Sequence, residues 1–260
     1  MRFVFNILFF IGVASSEVHY GPNEKETPQR VRIIGGQEAE VNQYPWQVAL
    51  SITSANGNEY FCGGSLISEK WILTAAHCLS NVVSVMASLG VHNINVNEPS
   101  RQDIPAEDFT VHPKWNISTA SNDIALVRLT TEAVINDAVQ VVTLATAGTF
   151  AGYDAELSGW GKVSSASTEI SPILKRIDLK VISNVLCTLY YSVYIKDSNI
   201  CTSGSGGIGA CQGDSGGPLV VGGTQIGVVS RGNKCERGSP TVYSRVSAYK
   251  SWITDVTGIR

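Results

Sequence analysis

The chain is poor in charge and has no surplus of one sign. Only 16% of its 260 residues are charged, with 19 Lys plus Arg against 22 Asp plus Glu. A net charge of −3 offers no polycation for nucleic acid or for an anionic membrane. No run approaches the roughly 18 apolar residues that a membrane-spanning helix needs. Fixed-period repeats, low-complexity tracts and heptads are missing too. So are C-x-x-C and H-x-x-x-H pairs, the short spacings that gather zinc ligands, and no metal or other cofactor is expected. A disordered chain is excluded by the 43% hydrophobic content. The length allows one large or two small domains, and an all-β barrel protein can reach this size as one unit. The 6 cysteines, an even number, fit disulfides once an oxidising compartment is established.

The first residues supply that compartment. Arg2 precedes a mostly apolar run, Phe3 to Val13, which ends in Ala14, Ser15 and Ser16. A basic start, a short apolar core and small residues describe a secretory signal peptide over residues 1–16, and hence a secreted, extracellular protein. Residues 17–32 carry Pro22, Pro28 and mixed charges without apolar periodicity, and read as an exposed, cuttable tether. At Arg32 the character changes abruptly to Ile33-Ile34-Gly35-Gly36, and the expected folded domain spans residues 33–260.

That domain reads as many short strands. Trp46 to Ile52, Trp71 to Thr74, Ile124 to Leu129, Ile177 to Ile182 and Gln225 to Ser230 are rich in β-branched or other apolar residues, with Gly, Asn, Ser and Pro clusters between them. No strand alternates with a long amphipathic helix, which argues against a parallel sheet. One helix stands out at the end, where Val246, Tyr249, Trp252, Ile253 and Val256 recur mostly at spacings of three and four, and Gly258 suits its stop. The fold class expected is all-β and antiparallel, closed by a C-terminal helix.

Chemistry concentrates in Gly213-Asp214-Ser215-Gly216-Gly217-Pro218. A serine among glycines presents its hydroxyl, and the unobstructed N–H groups of Gly213 and Ser215 can stabilise an oxyanion. Taken alone, the segment also reads as a Gly/Ser turn. It fits the nucleophile elbow of α/β-hydrolases as well, but their histidine follows the serine. Here His19, His77, His92 and His112 all precede Ser215, so that alternative has no base. His77 ends the apolar run Trp71 to Ala76, and Asp123 opens the run Ile124 to Leu126. Singly they also read as a packed core histidine and a capping aspartate. Together they give the order His, Asp, Ser, in which a serine has a base and the base a carboxylate.

Six segments in order carry a resemblance over residues 33–260: Ile33 to Gly36, Cys62 to Leu66, Thr74 to Cys78, Asp123 to Leu126, Ser158 to Gly161 and Gly213 to Pro218. The chain resembles the chymotrypsin family of serine endopeptidases, and within it the arthropod brachyurin, or serine-collagenase-like, group. The resemblance implies two six-stranded antiparallel β-barrels, roughly residues 33–138 and 139–245, around a cleft, with a C-terminal α-helix. It implies His77, Asp123 and Ser215 as the catalytic triad and the amides of Gly213 and Ser215 as the oxyanion hole. It implies a zymogen, cut between Arg32 and Ile33 by a trypsin-like protease, whose freed Ile33 amine pairs with Asp214. The bridges it implies are Cys62–Cys78, Cys187–Cys201 and Cys211–Cys235.

Within the resemblance, Gly209 stands at the base of the S1 pocket, where a trypsin-like enzyme needs a carboxylate. Gly232 leaves the entrance open, and Thr241 replaces a glycine and narrows the depth. Together with Ser230 these residues point to apolar P1 side chains, chymotrypsin-like to elastase-like, and collagen cleavage is left open. Arg231 replaces a customary aromatic residue in the strand that pairs with substrate, and an acidic preference at P2–P4 is the expectation it raises. The loop after Gly90 lacks the paired glutamates of calcium-binding members, and no calcium requirement is expected. Asn116-Ile117-Ser118 is a glycosylation sequon in a predicted loop. Expected partners are protein or peptide substrates, the activating protease and protein protease inhibitors, for a monomer that binds neither nucleic acid nor membrane. The competing class, a catalytically silent homologue acting as a binding protein, usually lacks a triad residue, and none is missing here.

Overall fold

Alternation along the strands builds the fold. The structure, a computed structural model, describes residues 36–191, 194–232, 235 and 237–259. In Lys175–Ile182 the side chains of Ile177, Leu179 and Val181 are buried, while Asp178 and Lys180 face solvent, the period of two that a half-buried strand requires. Gln47–Ser54 is buried on both faces over its first four residues, Gln47 to Leu50, while Ser51 is exposed. Its Val48, Leu50 and Ile52 enter a barrel core, and Ala49 packs into a second cluster with Trp160 and Leu174.

The strands are β1 (Gln37–Glu38), β2 (Gln47–Ser54), β3 (Glu59–Ser68), β4 (Trp71–Thr74), β5 (Val82–Leu89), β6 (Gln102–Val111), β7 (Ala125–Leu129), β8 (Thr143–Leu144), β9 (Asp154–Gly159), β10 (Lys175–Ile182), β11 (Asn199–Thr202), β12 (Pro218–Val221), β13 (Thr224–Gly232) and β14 (Thr241–Arg245). The first barrel closes in the order β2-β3-β4-β7-β6-β5. The second runs β10-β11-β14-β13-β12-β9 and closes through the pairing of β9 with β10, with β1 on β10 and β8 on β13 as additions. Two antiparallel six-stranded barrels result, as the resemblance implies.

Buried polar side chains pin the barrels together. Ser65 Oγ donates to Gln225 Oε1 at 2.7 Å, and Ser158 Oγ donates to Gln47 Oε1 at 2.6 Å. Such bonds lose much if one partner is removed, because the other is left unpaired away from water. Disulfides join Cys62 to Cys78, Cys187 to Cys201 and Cys211 to Cys235.

The C-terminal segment begins as a 3-10 turn, Val246–Tyr249, and continues as a helix, Lys250–Thr257. Val246, Tyr249 and Ile253 bury themselves against the first barrel's core. Gly258 closes the helix at φ 77°, its N–H donating to Thr254 O, the left-handed stop a glycine makes easily. A second helix, α1 (Asn184–Tyr191), precedes this one, which is α2, and was not evident from the sequence. Only Cys187 of α1 is buried, while Val185 and Leu189 are exposed. No apolar stripe marks it, and the bridge to Cys201 on β11 tethers it instead. No helix among the described residues is long and apolar enough to cross a membrane.

Candidate active site

The site forms where the barrels meet. β4 ends at Thr74, and the 3-10 turn Ala76–Leu79 follows at once, so His77 leaves the barrel on a tight turn. Its neighbour Cys78 is bonded to Cys62 on β3, which fixes that turn. Asp123 lies just before β7 and is 1% exposed. Its Oδ1 accepts from the backbone N–H of His77 at 2.9 Å, and its Oδ2 lies 2.8 Å from His77 Nδ1. A carboxylate only accepts, so the hydrogen of this contact sits on Nδ1, and in the neutral ring the lone pair is then on Nε2.

Two further hydroxyls hold the aspartate. Ser230 Oγ donates to Asp123 Oδ2 at 2.6 Å, and Ser244 Oγ donates to the Asp123 carbonyl at 2.6 Å. Both serines belong to the second barrel and Asp123 to the first. The carboxylate is thus oriented by both halves of the molecule.

Ser215 sits on a loop that both barrels clamp. Gly63 N–H donates to the Ser215 carbonyl at 2.7 Å, and Gly216 N–H donates to Val229 O at 2.9 Å. Gly216 has φ +79°, and a Cβ there would collide with Thr74 Oγ1 and Gly63 O. That close approach brings the Ser215 loop against the end of β4, three residues before His77. The N–H groups of Gly213 and Ser215 have no hydrogen-bond partner among the described residues, and both residues are half-buried. Ser215 Oγ makes no hydrogen bond to His77, as is common before a substrate tightens a catalytic pair. Beside it opens a cleft of about 340 Å³ lined by Ser215, Ser230, Arg231 and Gly232 among others.

Gly209 and Thr241 lie against each other but are not in the lining of that cleft. They adjoin it through Ala210, next to Gly209 in the chain, and Gly232, paired with Thr241 across β13 and β14. Thr241 is 4% exposed, and a Cβ on Gly209 would lie 2.8 Å from Thr241 Oγ1. The Thr202 hydroxyl lies 3.1 Å from the Tyr243 hydroxyl, and burial raises the Tyr243 phenol above its usual range. Among the described residues no carboxylate lines the cleft.

Asp214 points away from the cleft into the protein. Its carboxylate is buried and accepts from Gly161 N–H at 2.8 Å and Cys211 N–H at 2.9 Å. Cβ atoms on Gly159 or Gly161 would collide with it, so those two positions of its surroundings have room only for glycine. Burial pushes its carboxyl up to about 6, and the two amide bonds only partly offset this. Arg32 and Ile33 lie outside the described residues.

These features together decide the family: two closed six-stranded barrels, and at their junction a serine loop beside a paired histidine and aspartate. Sequence comparison agrees, for the family profile described as Trypsin matches residues 33–253. The chain belongs to the trypsin family. It is 42% identical over 229 residues to brachyurin of Leptuca pugilator, covering 87% of this chain and 99% of that protein. It is 41% identical over 226 residues to trypsin-3 of Homo sapiens, covering 86% of this chain and 72% of that one. The solved structure of HL collagenase superposes with a TM-score of 0.81 at 37% identity, covering 88% of this chain and all of that one. As a trypsin-family member the protein is a serine endopeptidase, a hydrolase of peptide bonds.

Other residues singled out in the sequence have their places in this trypsin-family chain. His92 lies 3.3 Å from Glu38 Oε1, and His112 packs edge-on against Tyr249 and Trp252. Asn116 is exposed, its Oδ1 accepting from Thr119 N–H at 3.1 Å. Cys62, His77 and Cys78 bring ligand atoms within 4.8 Å of one another, but the two sulfurs are bonded together and offer no thiolate. In the loop after Gly90, sequence reading missed Arg101. Its guanidinium donates to the carbonyls of Ile94 and Val96 and to both oxygens of Asp103. The carbonyls are thereby occupied by a cation belonging to the chain.

Proposed function

We propose that the protein is a secreted serine endopeptidase, made as a zymogen, that works through an acyl-enzyme on Ser215. The observation that carries this reading is the junction itself. His77 is held by Asp123, Asp123 by Ser230, and Ser215 lies on a clamped loop where its own N–H and that of Gly213 have no partner among the described residues. In the reaction Ser215 Oγ attacks the scissile carbonyl carbon while His77 Nε2 takes the hydroxyl proton. The charge that develops on the carbonyl oxygen meets the N–H groups of Gly213 and Ser215. The C–N bond then breaks as the imidazolium returns its proton to the departing amine. Water repeats the sequence on the ester, with His77 again as base, and frees Ser215. Asp123 keeps the imidazole in the required tautomer and stabilises its charged form.

The precursor divides into a signal peptide (1–16), an activation peptide (17–32) and the protease domain (33–260). Cutting after Arg32, by a trypsin-like protease, frees the Ile33 amine to pair with Asp214. The buried, under-satisfied Asp214 carboxylate supports this, since a cation in its chamber would relieve the cost of burial. No cysteine lies in residues 17–32 to retain the peptide after cleavage. Apolar P1 residues such as Leu, Met, Phe or Tyr suit a pocket with Gly209 at its base and Thr241 behind it. The likeness to brachyurin and HL collagenase adds native collagen to the substrates to test, in a digestive or tissue-degrading setting, with protein protease inhibitors as partners. Activated protein assayed on a peptide panel varied only at P1 tests this reading. Cleavage after Leu, Met, Phe or Tyr is expected, and strict cleavage after Lys or Arg would overturn the pocket assignment.

A further inference from the structure

A groove of about 350 Å³ lies beside the C-terminal helix and shares no lining residue with the cleft at Ser215. Three parts of the chain line it: Ile67 from β3, Val142 and Leu144 from the segment between β7 and β9, and Val246, Ile253 and Ile259 from the C-terminal segment. Val142, Val246 and Ile253 belong to the first barrel's core, whereas Val141, also in the lining, is 41% exposed. The groove therefore carries core apolar surface out to solvent.

Its walls are fixed by the fold. Val142 N–H donates to Leu66 O at 2.9 Å and Ala145 N–H to Gln225 O at 3.0 Å, which fastens one wall to β3 and β13. On the helix side Thr254 Oγ1 donates to Ile259 O at 2.6 Å, folding the end of the chain back onto α2. A site with preset walls loses little freedom when it is filled.

One charge stands in this lining. Lys250 opens α2, is exposed, and is the only charged residue among those that line the groove. Its ammonium has no ion-pair partner among the described residues. Several apolar walls and a single cation are complementary to an apolar chain that ends in an anion. The space is more than twice the ~150 Å³ apolar cavity that takes a benzene ring, and so suits an alkyl chain of roughly ten carbons. A partner's helix, about 10 Å across, is too wide for it.

We propose that this groove binds a medium-chain aliphatic carboxylate, with the chain along Ile67, Val142 and Ile253 and the carboxylate on the Lys250 ammonium. The site is separate from the catalytic cleft and does not depend on how Ser215 reacts.

Calorimetry on the full-length protein with sodium octanoate and sodium decanoate tests it. One decanoate should bind per molecule, about tenfold more tightly than octanoate, because each further buried CH₂ adds a similar increment. Lys250→Gln should weaken decanoate about tenfold and Lys250→Arg should not, and decylammonium should bind far more weakly than decanoate. Val141→Glu places a second carboxylate in the lining and should abolish binding. Gly232→Phe crowds the cleft instead, where a Cβ on Gly232 meets nothing within 4 Å, and should leave the affinity unchanged. Wild type without saturable decanoate binding overturns the proposal, as does equal affinity in Lys250→Gln. A loss of binding in Gly232→Phe would place the ligand in the cleft and overturn it too.

Discussion

Replacing Asp214 with asparagine should act in opposite directions on the uncut and the cut protein. In the described residues the carboxylate has two backbone donors, no cation, and a carboxyl pushed from 3.8 up to about 6. At about 1.4 kcal/mol for each tenfold change in proton affinity, burying the anion costs the folded chain about 3 kcal/mol. The folded state binds this proton more tightly than the unfolded state. Stability therefore falls as pH rises from about 4 through 6, and is level above that. An amide does not titrate and has no such slope, although its single oxygen leaves one of the two N–H groups unpaired. Urea unfolding of Arg32→Gln and of Arg32→Gln/Asp214→Asn, from pH 4 to pH 7.5, isolates the effect because all other groups are shared. The difference between them should move by about 2 to 3 kcal/mol in favour of asparagine across that range, since part of the effect is already spent at pH 4. In protein cut at Arg32 the Ile33 amine is expected to satisfy the carboxylate. There Asp214→Asn should remove nearly all kcat/KM. A pH-independent difference in the uncut pair would show that the buried Asp214 carboxyl is not raised, and full activity in the cut variant would show that it needs no partner in Ile33.

Four shorter tests bear on other parts of the molecule. Gly209→Asp puts its Cβ 2.8 Å from Thr241 Oγ1 at a backbone φ of +150°, so the single variant should lose activity on apolar P1 substrates. Cleavage after Arg is expected only when Thr241→Gly is added, measured with P1-Arg and P1-Leu anilides. Arg101→Ala removes bonds from a charged donor to Ile94, Val96 and Asp103, and thermal unfolding should show a loss of about 2 kcal/mol. Chelator treatment of wild type should change neither Tm nor rate. Ser230→Ala deletes the 2.6 Å bond to Asp123, and steady-state kinetics should show kcat reduced about 10- to 100-fold.

Much of the barrel architecture was legible because alternation is written into strands such as Lys175–Ile182, where a slip of one residue would bury Asp178 and Lys180. The C-terminal helix was legible from its apolar spacing. Helix α1 was not, because its apolar residues face outward and a disulfide supplies the tether that a buried stripe usually gives. At the proposed site, His77, Asp123 and Ser215 stand out in the chain by the company they keep, and the His77–Asp123 contact is present in the structure. The Ser230 bond, the Ser244 bond and the Arg231 bond to the Ala120 carbonyl were not readable as contacts. They depend on a bulge in β13 and on loops more than 100 residues apart in sequence meeting in space. Arg231 shows the difference most clearly. Its charge suggested attraction for acidic substrates, whereas its geometry commits that charge to the backbone carbonyls of Ala120 and Tyr194.

Cutting after Arg32 is proposed to arm Ser215 as a nucleophile through His77 and Asp123. Labelling with a serine-directed fluorophosphonate, read by peptide mass mapping, tests it most directly. Protein cut at Arg32 should take up one label on Ser215, and the uncut Arg32→Gln protein and the cut His77→Ala variant should take up almost none. Equal labelling of the uncut protein, or failure of the cut wild type to label Ser215, would contradict the account.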